Sequence, residues 1–374
     1  MIAGILKEPA GENRVSLLPE QAEALIKQKV QVVVEEGAGK AAFAADGAYT
    51  VKGCGIMSRK ELLQQADMIF SLSLLSKEDT DLLKPGTIVL GIFLPLYHFN
   101  IIAGWAQKGI TTFSMDMIPR TTRAQSMDVL SSQANIAGYK AVVLAAHLYP
   151  KYFPMLMTAA GSIAPAKMLI LGAGVAGLQA IATSRRLGAV VEVFDTRPAV
   201  KEEVMSLGAK FIEVEGAADS SKAGGYAVDQ TEEYKQKQQQ KISEAAAKAD
   251  IIITTAQIPG KAAPVLLTEA SLNVMKPGSI IIDLAAATGG NTARTVNNEA
   301  VVYNGVTIVG NSNLASSMPA DASKLYGRNL LNFLKLIIDK EANINLNFED
   351  DIVKGTCITH DGNIVNERVK ALVA

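Results

Sequence analysis

Short β-branched runs alternate with helix-spaced stretches along almost the whole chain, and this alternation restricts the fold to parallel sheets with helices packed on their faces. The first series is IAGIL (2–6), VQVVVEE (30–36), DMIFSLS (67–73), TIVLGIF (87–93) and ITTFSMD (110–116). Helical patterns separate these runs at 19–29, opened by Pro19, at 58–66 and at 97–108. A second series follows in AKMLILGAG (166–174), VVEVFD (190–195), KFIEV (210–214), DIIITTA (250–256), SIIIDLA (279–285) and VTIVG (306–310). Between the two, the periodicity is helical from Ala124 to about His147, long enough to join two bodies. At 374 residues the chain exceeds what one core usually serves, so the two series predict two α/β domains, each a doubly wound parallel sheet, joined by long helices.

LKPGTIVLGIF (83–93) and MKPGSIIIDLA (275–285) share one device, a helix end with Lys, a Pro-Gly turn and a buried strand, so the two halves are expected to have related architectures. After Pro319 a helical pattern from Ala322 to Ile338 carries the chain back to the first body, ending in a hairpin-like ITHDGNIV (358–365). The expected division is a discontinuous, flavodoxin-like first domain of 1–128 and 319–374, and a Rossmann-like second domain of 129–318.

Apolar residues at 49% and charged residues at 20% fit a packed core and exclude disorder. Lys plus Arg (36) and Asp plus Glu (37) nearly cancel, so no strong field draws the chain to nucleic acid or anionic lipid. Cys54 and Cys357 stand far apart without a CxxC or Cys/His cluster, which predicts no zinc site and suits a reducing, cytosolic compartment. The N-terminus acquires charge too early for a secretory signal. The most apolar stretch, Met168 to Thr183, carries three glycines and Gln179 and is too short for a membrane span of about 20 residues.

The motif with the strongest chemistry is GAGVAG. The buried run KMLIL precedes it and a helical pattern follows, so the context predicts a tight turn at Gly172, close approach of the backbone to a pyrophosphate at Gly174, and helix-on-strand packing at Gly177. Ala173, Val175 and Ala176 complete the turn, and the helix start supplies amide donors and partial positive charge to phosphates. The next strand ends at Asp195, eighteen residues beyond the last glycine, where an acid accepts the adenosine ribose hydroxyls and repels a 2′-phosphate. Thr196 and Arg197 follow it; Arg197 is able instead to bind a 2′-phosphate, so the NAD preference rests on Asp195. Thr255, Ala256 and Gln257, in TTAQIPGK (254–261), lie where a loop meets the carboxyl edge of the sheet, and read either as a cofactor contact or as an ordinary turn. The polar segment 216–240, with Gly224, Gly225 and Tyr226, reads either as a solvated loop running into a charged helix or as a flap. His98, His147 and His360 read as structural or solvated, leaving no assembled general acid.

Four segments, RTTRAQSMDVLSSQANIAGY (120–139), GAGVAGLQAIATSRRLG (172–188), ITTAQIPGK (253–261) and DLAAATGGN (283–291), together with ENRVSLLPE (12–20), make the chain similar to the NAD(H)-binding component of proton-translocating nicotinamide nucleotide transhydrogenase. The specific portion is TRAQSMD (122–128), with Thr122 where the family often has Ser. The resemblance implies that Arg120, Gln125, Asp128 and Ser131 form the nicotinamide-facing catalytic loop, Gln125 reaching towards the second nucleotide. Without it, these residues read as the capped start of a helix. It further implies that Asp195 binds the adenosine ribose, and that Gly225 and Tyr226 sit on a mobile loop closing over NAD(H). The implied partners are a membrane-embedded proton-channel component and a component that holds NADP(H), with the chain a homodimer placed through them on the cytoplasmic side of the inner membrane. Alanine dehydrogenase is the nearest competitor and shares Arg14, but where its catalytic lysine and histidine should fall this sequence offers Ser71 and apolar residues, and Ala287 replaces its acid before the Gly-Gly pair. Direct hydride passage between two nicotinamide rings breaks no O–H or N–H bond, so positioning and exclusion of water suffice. The competing expectations are a catalytically silent NAD(H)-binding module and an amino-acid dehydrogenase.

Overall fold

The computed structural model describes residues 1–216 and 231–373. The first six strands are β1 (Ile2–Ile5), β2 (Gln31–Glu35), β3 (Gly55–Met57), β4 (Met68–Phe70), β5 (Ile88–Gly91) and β6 (Thr111–Ser114). A short antiparallel hairpin, β7 (Leu156–Thr158) and β8 (Gly161–Ile163), comes next. The second series is β9 (Lys167–Leu171), β10 (Val190–Phe194), β11 (Lys210–Phe211), β12 (Ile251–Thr254), β13 (Ile280–Asp283), β14 (Glu299–Tyr303) and β15 (Val306–Gly310). The chain closes with β16 (Cys357–His360) and β17 (Asn363–Ile364). Two sheets result, ordered β17-β16-β6-β5-β4-β1-β2-β3 and β11-β10-β9-β12-β13-β15-β14.

Both sheets are parallel through their middles, because the connections between neighbouring strands are helical crossovers. Both depart from the all-parallel expectation at one edge. β16 and β17 add antiparallel to β6, and β14 pairs antiparallel with β15 through a tight turn at Asn304 and Gly305, both with positive φ. Such a turn leaves no length for a crossover. The strand cores read as uninterrupted apolar runs, Met168–Leu171 and Ile251–Ile253 for example, since both faces are covered. The two Pro-Gly turns do the same work: Gly86 and Gly278 take φ of 86° and 84°, and their amides donate to Gly109 O (2.8 Å) and Gly305 O (2.7 Å).

The chain divides into two compact units, Met1–Gln133 with the segment from Ser316 onward, and Ala134–Ala315. In the first, helix Pro319–Ile337 buries Tyr326, Leu330, Phe333 and Leu334 on one face of the sheet, Phe333 meeting Phe113 at 5.4 Å between ring centroids. The other face packs Phe93 edge-on to Trp105 at 5.2 Å. In the second unit, Ala141, Val142 and Ala145 of helix Val129–Leu148 join a core with Ile170, Ile181 and Ile253. That helix starts later than its periodicity predicts. Thr122–Met127 is a separate 3-10 segment, and the α-helix begins at Val129 after Asp128, whose carboxylate satisfies first-turn donors.

Candidate functional site

Within each sheet the chain reverses its direction of travel at one place, between β1 and β4 in the first and between β9 and β12 in the second. Ligands of open α/β sheets bind beyond the strand carboxyl ends at this point. In the second sheet it is flanked by the glycine turn after β9 and the loop after β12. Gly172 has φ +103°, its amide donates to Phe194 O at 2.8 Å, and a Cβ there would lie 2.4 Å from Thr255 Oγ1. The Thr255 hydroxyl donates back to Gly172 O (3.1 Å), locking the two loops together. Gly177 lies against the turn itself, since a Cβ on it would come 1.9 Å from Gly172 O. Gly174 is different. It is the N-cap of helix Val175–Arg186 without a side-chain cap, and a Cβ there would meet nothing within 4 Å. The helix start is thus left open, flanked by Val175 and the half-buried Ala176, with room for a phosphate group against its amide end.

Asp195, one residue beyond β10, is 9% exposed. Its Oδ2 accepts the Ala173 amide (2.7 Å) and Arg197 Nη2 (2.7 Å); its Oδ1 accepts the Arg197 amide (2.8 Å) and Nε (2.9 Å). This carboxylate pushes the Arg197 guanidinium upward from its ordinary value, against the opposing effect of burial. Thr196 stands half-buried between them. In the loop after β12, Gln257 is exposed and its amide donates to Leu284 O (3.1 Å), while Ala256 is gripped by the side chain of Asn291. Gly225 and Tyr226 lie outside the described residues.

The remaining candidates belong to the first unit. Asp128 Oδ1 accepts the Ser131 amide (2.9 Å) and Oδ2 the Ser131 hydroxyl (2.6 Å), so these two residues are brought together as a helix cap. Arg120 and Gln125 are exposed on either side of Arg123, which binds Asp350 through two bonds of 2.6 and 2.7 Å and also reaches Asp351. Asn329 and Asn332 of helix Pro319–Ile337 both donate to Ser126 O, at 2.8 and 3.1 Å. The exposed segment is therefore held from below by residues two hundred positions away.

Models of the alanine dehydrogenase/PNT family match nearly the whole chain, the N-terminal domain over residues 4–137 and the C-terminal domain over 141–367. The chain belongs to the alanine dehydrogenase/PNT family. It is 46% identical over 365 residues to the first of the chains that make up NAD(P) transhydrogenase subunit alpha in Rhodospirillum rubrum, covering 95% of each chain, and 42% identical to its counterpart in Rickettsia prowazekii. A solved transhydrogenase from Sinorhizobium meliloti superposes with a TM-score of 0.89 at 44% identity, covering 98% of this chain and 100% of that one. An L-alanine dehydrogenase shares the fold, with a TM-score of 0.83 at 22% identity. Within the family this chain therefore sides with the transhydrogenase alpha subunits, components of an oxidoreductase.

The first unit of this family member carries a second polar cluster, at its own reversal point. Glu8, just past β1, is buried, and its carboxyl accepts the Leu72 amide (2.7 Å) and the Ser73 amide (3.0 Å) just past β4. Burial pushes it up to about 7, outweighing those two bonds. Ser71, which stands where an alanine dehydrogenase would have a catalytic lysine, donates to Ser73 O (2.9 Å). Arg14 is held by Glu12 (2.6 and 2.8 Å) and by Gln133 (2.9 Å). His98 sits at a helix start, His147 is exposed, and His360 packs on Phe348 with Nδ1 3.1 Å from Thr111 Oγ1, all away from the glycine turn in sequence and hydrogen bonding. Among the described residues no group of three or more His, Cys, Asp or Glu is placed to hold a metal ion. Sequence reasoning missed Arg123, Asn329 and Asn291. Arg123 and Asn291 stand inside motifs that sequence reading singles out, but their partners are far along the chain.

Proposed function

We propose that this chain is the NAD(H)-binding component of a proton-translocating transhydrogenase, and that it passes hydride directly from NADH to NADP held on a partner component. The glycine turn carries the reading: at the reversal point of the second sheet an uncapped helix start faces open space at Gly174, with the Asp195 carboxylate fixed beside it by the Ala173 amide. The similarity to transhydrogenase alpha subunits supports the choice of reaction.

Bound NADH supplies the hydride. The chain's own residues bind and orient it. The amides opening helix Val175–Arg186 take the pyrophosphate, Asp195 takes the adenosine ribose, and Thr255, Ala256 and Gln257 form the facing wall. Arg120, Gln125, Asp128 and Ser131 serve the nicotinamide end, the Asp128–Ser131 pair holding the loop's exit while Arg120 and Gln125 lie exposed at the surface. No acid or base is asked of the protein, which agrees with Ser71 and the apolar residues near it standing where an amino-acid dehydrogenase would place proton-transfer groups.

The proton channel and the NADP(H) site are assigned to partner components, with this chain a homodimer attached through them to the cytoplasmic side of the inner membrane. Among its described residues no helix is long and apolar enough to cross a membrane. The chain alone is expected to bind NADH without turnover. Mixed with the NADP-binding component and 4-deuterated NADH, it should yield labelled NADPH; label appearing in water alone would overturn the mechanism. Gln125→Ala should abolish most hydride transfer with NADH affinity changed by less than about twofold, whereas unchanged transfer would favour a silent nucleotide-binding module.

A further inference from the structure

We propose that Asn291 is a positioning residue for nucleotide binding: through its side-chain amide it holds the Ala256 peptide, and with it the Thr255–Gln257 loop, at the carboxyl edge of the second sheet. The proposal rests on the nucleotide-binding reading above. Asn291 is fully buried at the end of DLAAATGGN. Its Oδ1 accepts the Ala256 amide (3.0 Å), and its Nδ2 donates to Ala256 O (2.9 Å) and to Pro264 O (2.8 Å). A primary amide that engages both the N–H and the C=O of one residue does what a neighbouring strand would do, and extends order past Thr254, where β12 ends.

The loop has little else to order it. Residues 259–262 are exposed and the next buried apolar anchor is Ala263, whose amide donates to Thr288 O (2.8 Å). At its base the loop touches the glycine turn through the Thr255 hydroxyl, so a shift of the Ala256 peptide displaces the group that braces Gly172. Asn291 is itself fixed from behind. Its amide donates to Asp283 Oδ2 (2.6 Å), an oxygen that also takes the Thr295 hydroxyl (2.6 Å), while its carbonyl accepts the Leu266 and Leu267 amides, each at 2.9 Å. No other side chain fits this place. A carboxylate would accept from Ala256 but face two carbonyl oxygens, a serine is too short, and an alanine leaves three backbone groups unpaired in the interior.

The test compares the full chain with Asn291→Ala and, in case that variant folds poorly, Asn291→Ser. Three readouts are used: NADH titration, amide hydrogen exchange without nucleotide, and steady-state transfer with the NADP-binding component present. Expected are NADH binding weaker by about tenfold, faster exchange confined to 255–264 with β9 and β12 still protected, and a KM for NADH raised about tenfold while kcat moves less than about twofold. A residue with only a structural role would lower thermal stability and leave the KM of the folded fraction unchanged, and that result, or unaltered exchange over 255–264, overturns the proposal. Absence of NADH binding by the unaltered chain removes the nucleotide reading and this role with it; equal binding by the unaltered chain and both variants removes the role of Asn291 alone.

Discussion

Asp195 has its lone pairs committed before any ribose arrives. Two of its four bonds come from backbone amides and two from the guanidinium of Arg197, and the pair is largely buried, with side-chain exposures of 6% and 18%. A ribose hydroxyl that donates to Asp195 must displace Arg197, and the displaced guanidinium then lies within reach of the place where a 2′-phosphate would sit. The pair therefore moderates the discrimination that an isolated acid would impose. Arg197→Gln, which keeps a donor but drops the charge, is expected to widen the preference for NADH over NADPH by roughly tenfold, about 1.4 kcal/mol. Parallel titrations with the two reduced nucleotides check this, and tighter NADPH binding by the variant would refute it.

At the scale of the strand-turn-helix element, the three glycines have different physical reasons to be glycine. Gly177 is needed by the fold: a methyl there meets Gly172 O at 1.9 Å, so Gly177→Ala must push the helix off the turn, at a cost of about 3 kcal/mol. Gly174 is not needed by the fold, because its φ of −78° suits any residue and its Cβ would point into open space. Gly174→Ala should melt within about two degrees of the unaltered chain yet bind NADH at least about tenfold less well, the methyl occupying phosphate space. Thermal melts and titrations on both variants separate the two cases. The helix Val129–Leu148 makes a similar close approach, where a methyl on Gly138 would come 2.2 Å from Ala176 O beside that helix start. Residue 138 is thus another position at which backbone contact excludes a side chain.

For the molecule as a whole, the buried Glu8 makes folding pH-dependent. Its ordinary carboxyl value near 4.5 rises to about 7 in the folded chain, so folding favours the protonated form. The stability this contributes is complete below about pH 4.5 and is lost as pH rises through about 7, a change of about 3 kcal/mol at about 1.4 kcal/mol per pH unit. Glu12 adds to the upward push, and the Leu72 and Ser73 amides limit it. Urea midpoints for the unit that contains Glu8 should fall between pH 5 and pH 8. Glu8→Gln should flatten that fall while giving up one of the two amide bonds, and an equally steep profile in the variant would assign the dependence to another group.

Periodicity and local backbone chemistry were enough to place the two sheets, the long helices and the glycine turn, because β-branched runs, Pro-Gly turns and a positive-φ glycine act over a few residues. The same locality explains what they left out. The antiparallel strand β14 and the pairing of β16 with β6 depend on which edges remain open once the parallel strands have assembled. Tertiary structure alone decided that Arg197 lies on Asp195, that Arg123 anchors its exposed segment to Asp350, and that Asn291 reaches the Ala256 peptide thirty-five positions back. A hydrogen bond needs its partners within about 3 Å, and only the packed chain determines which distant residues come that close.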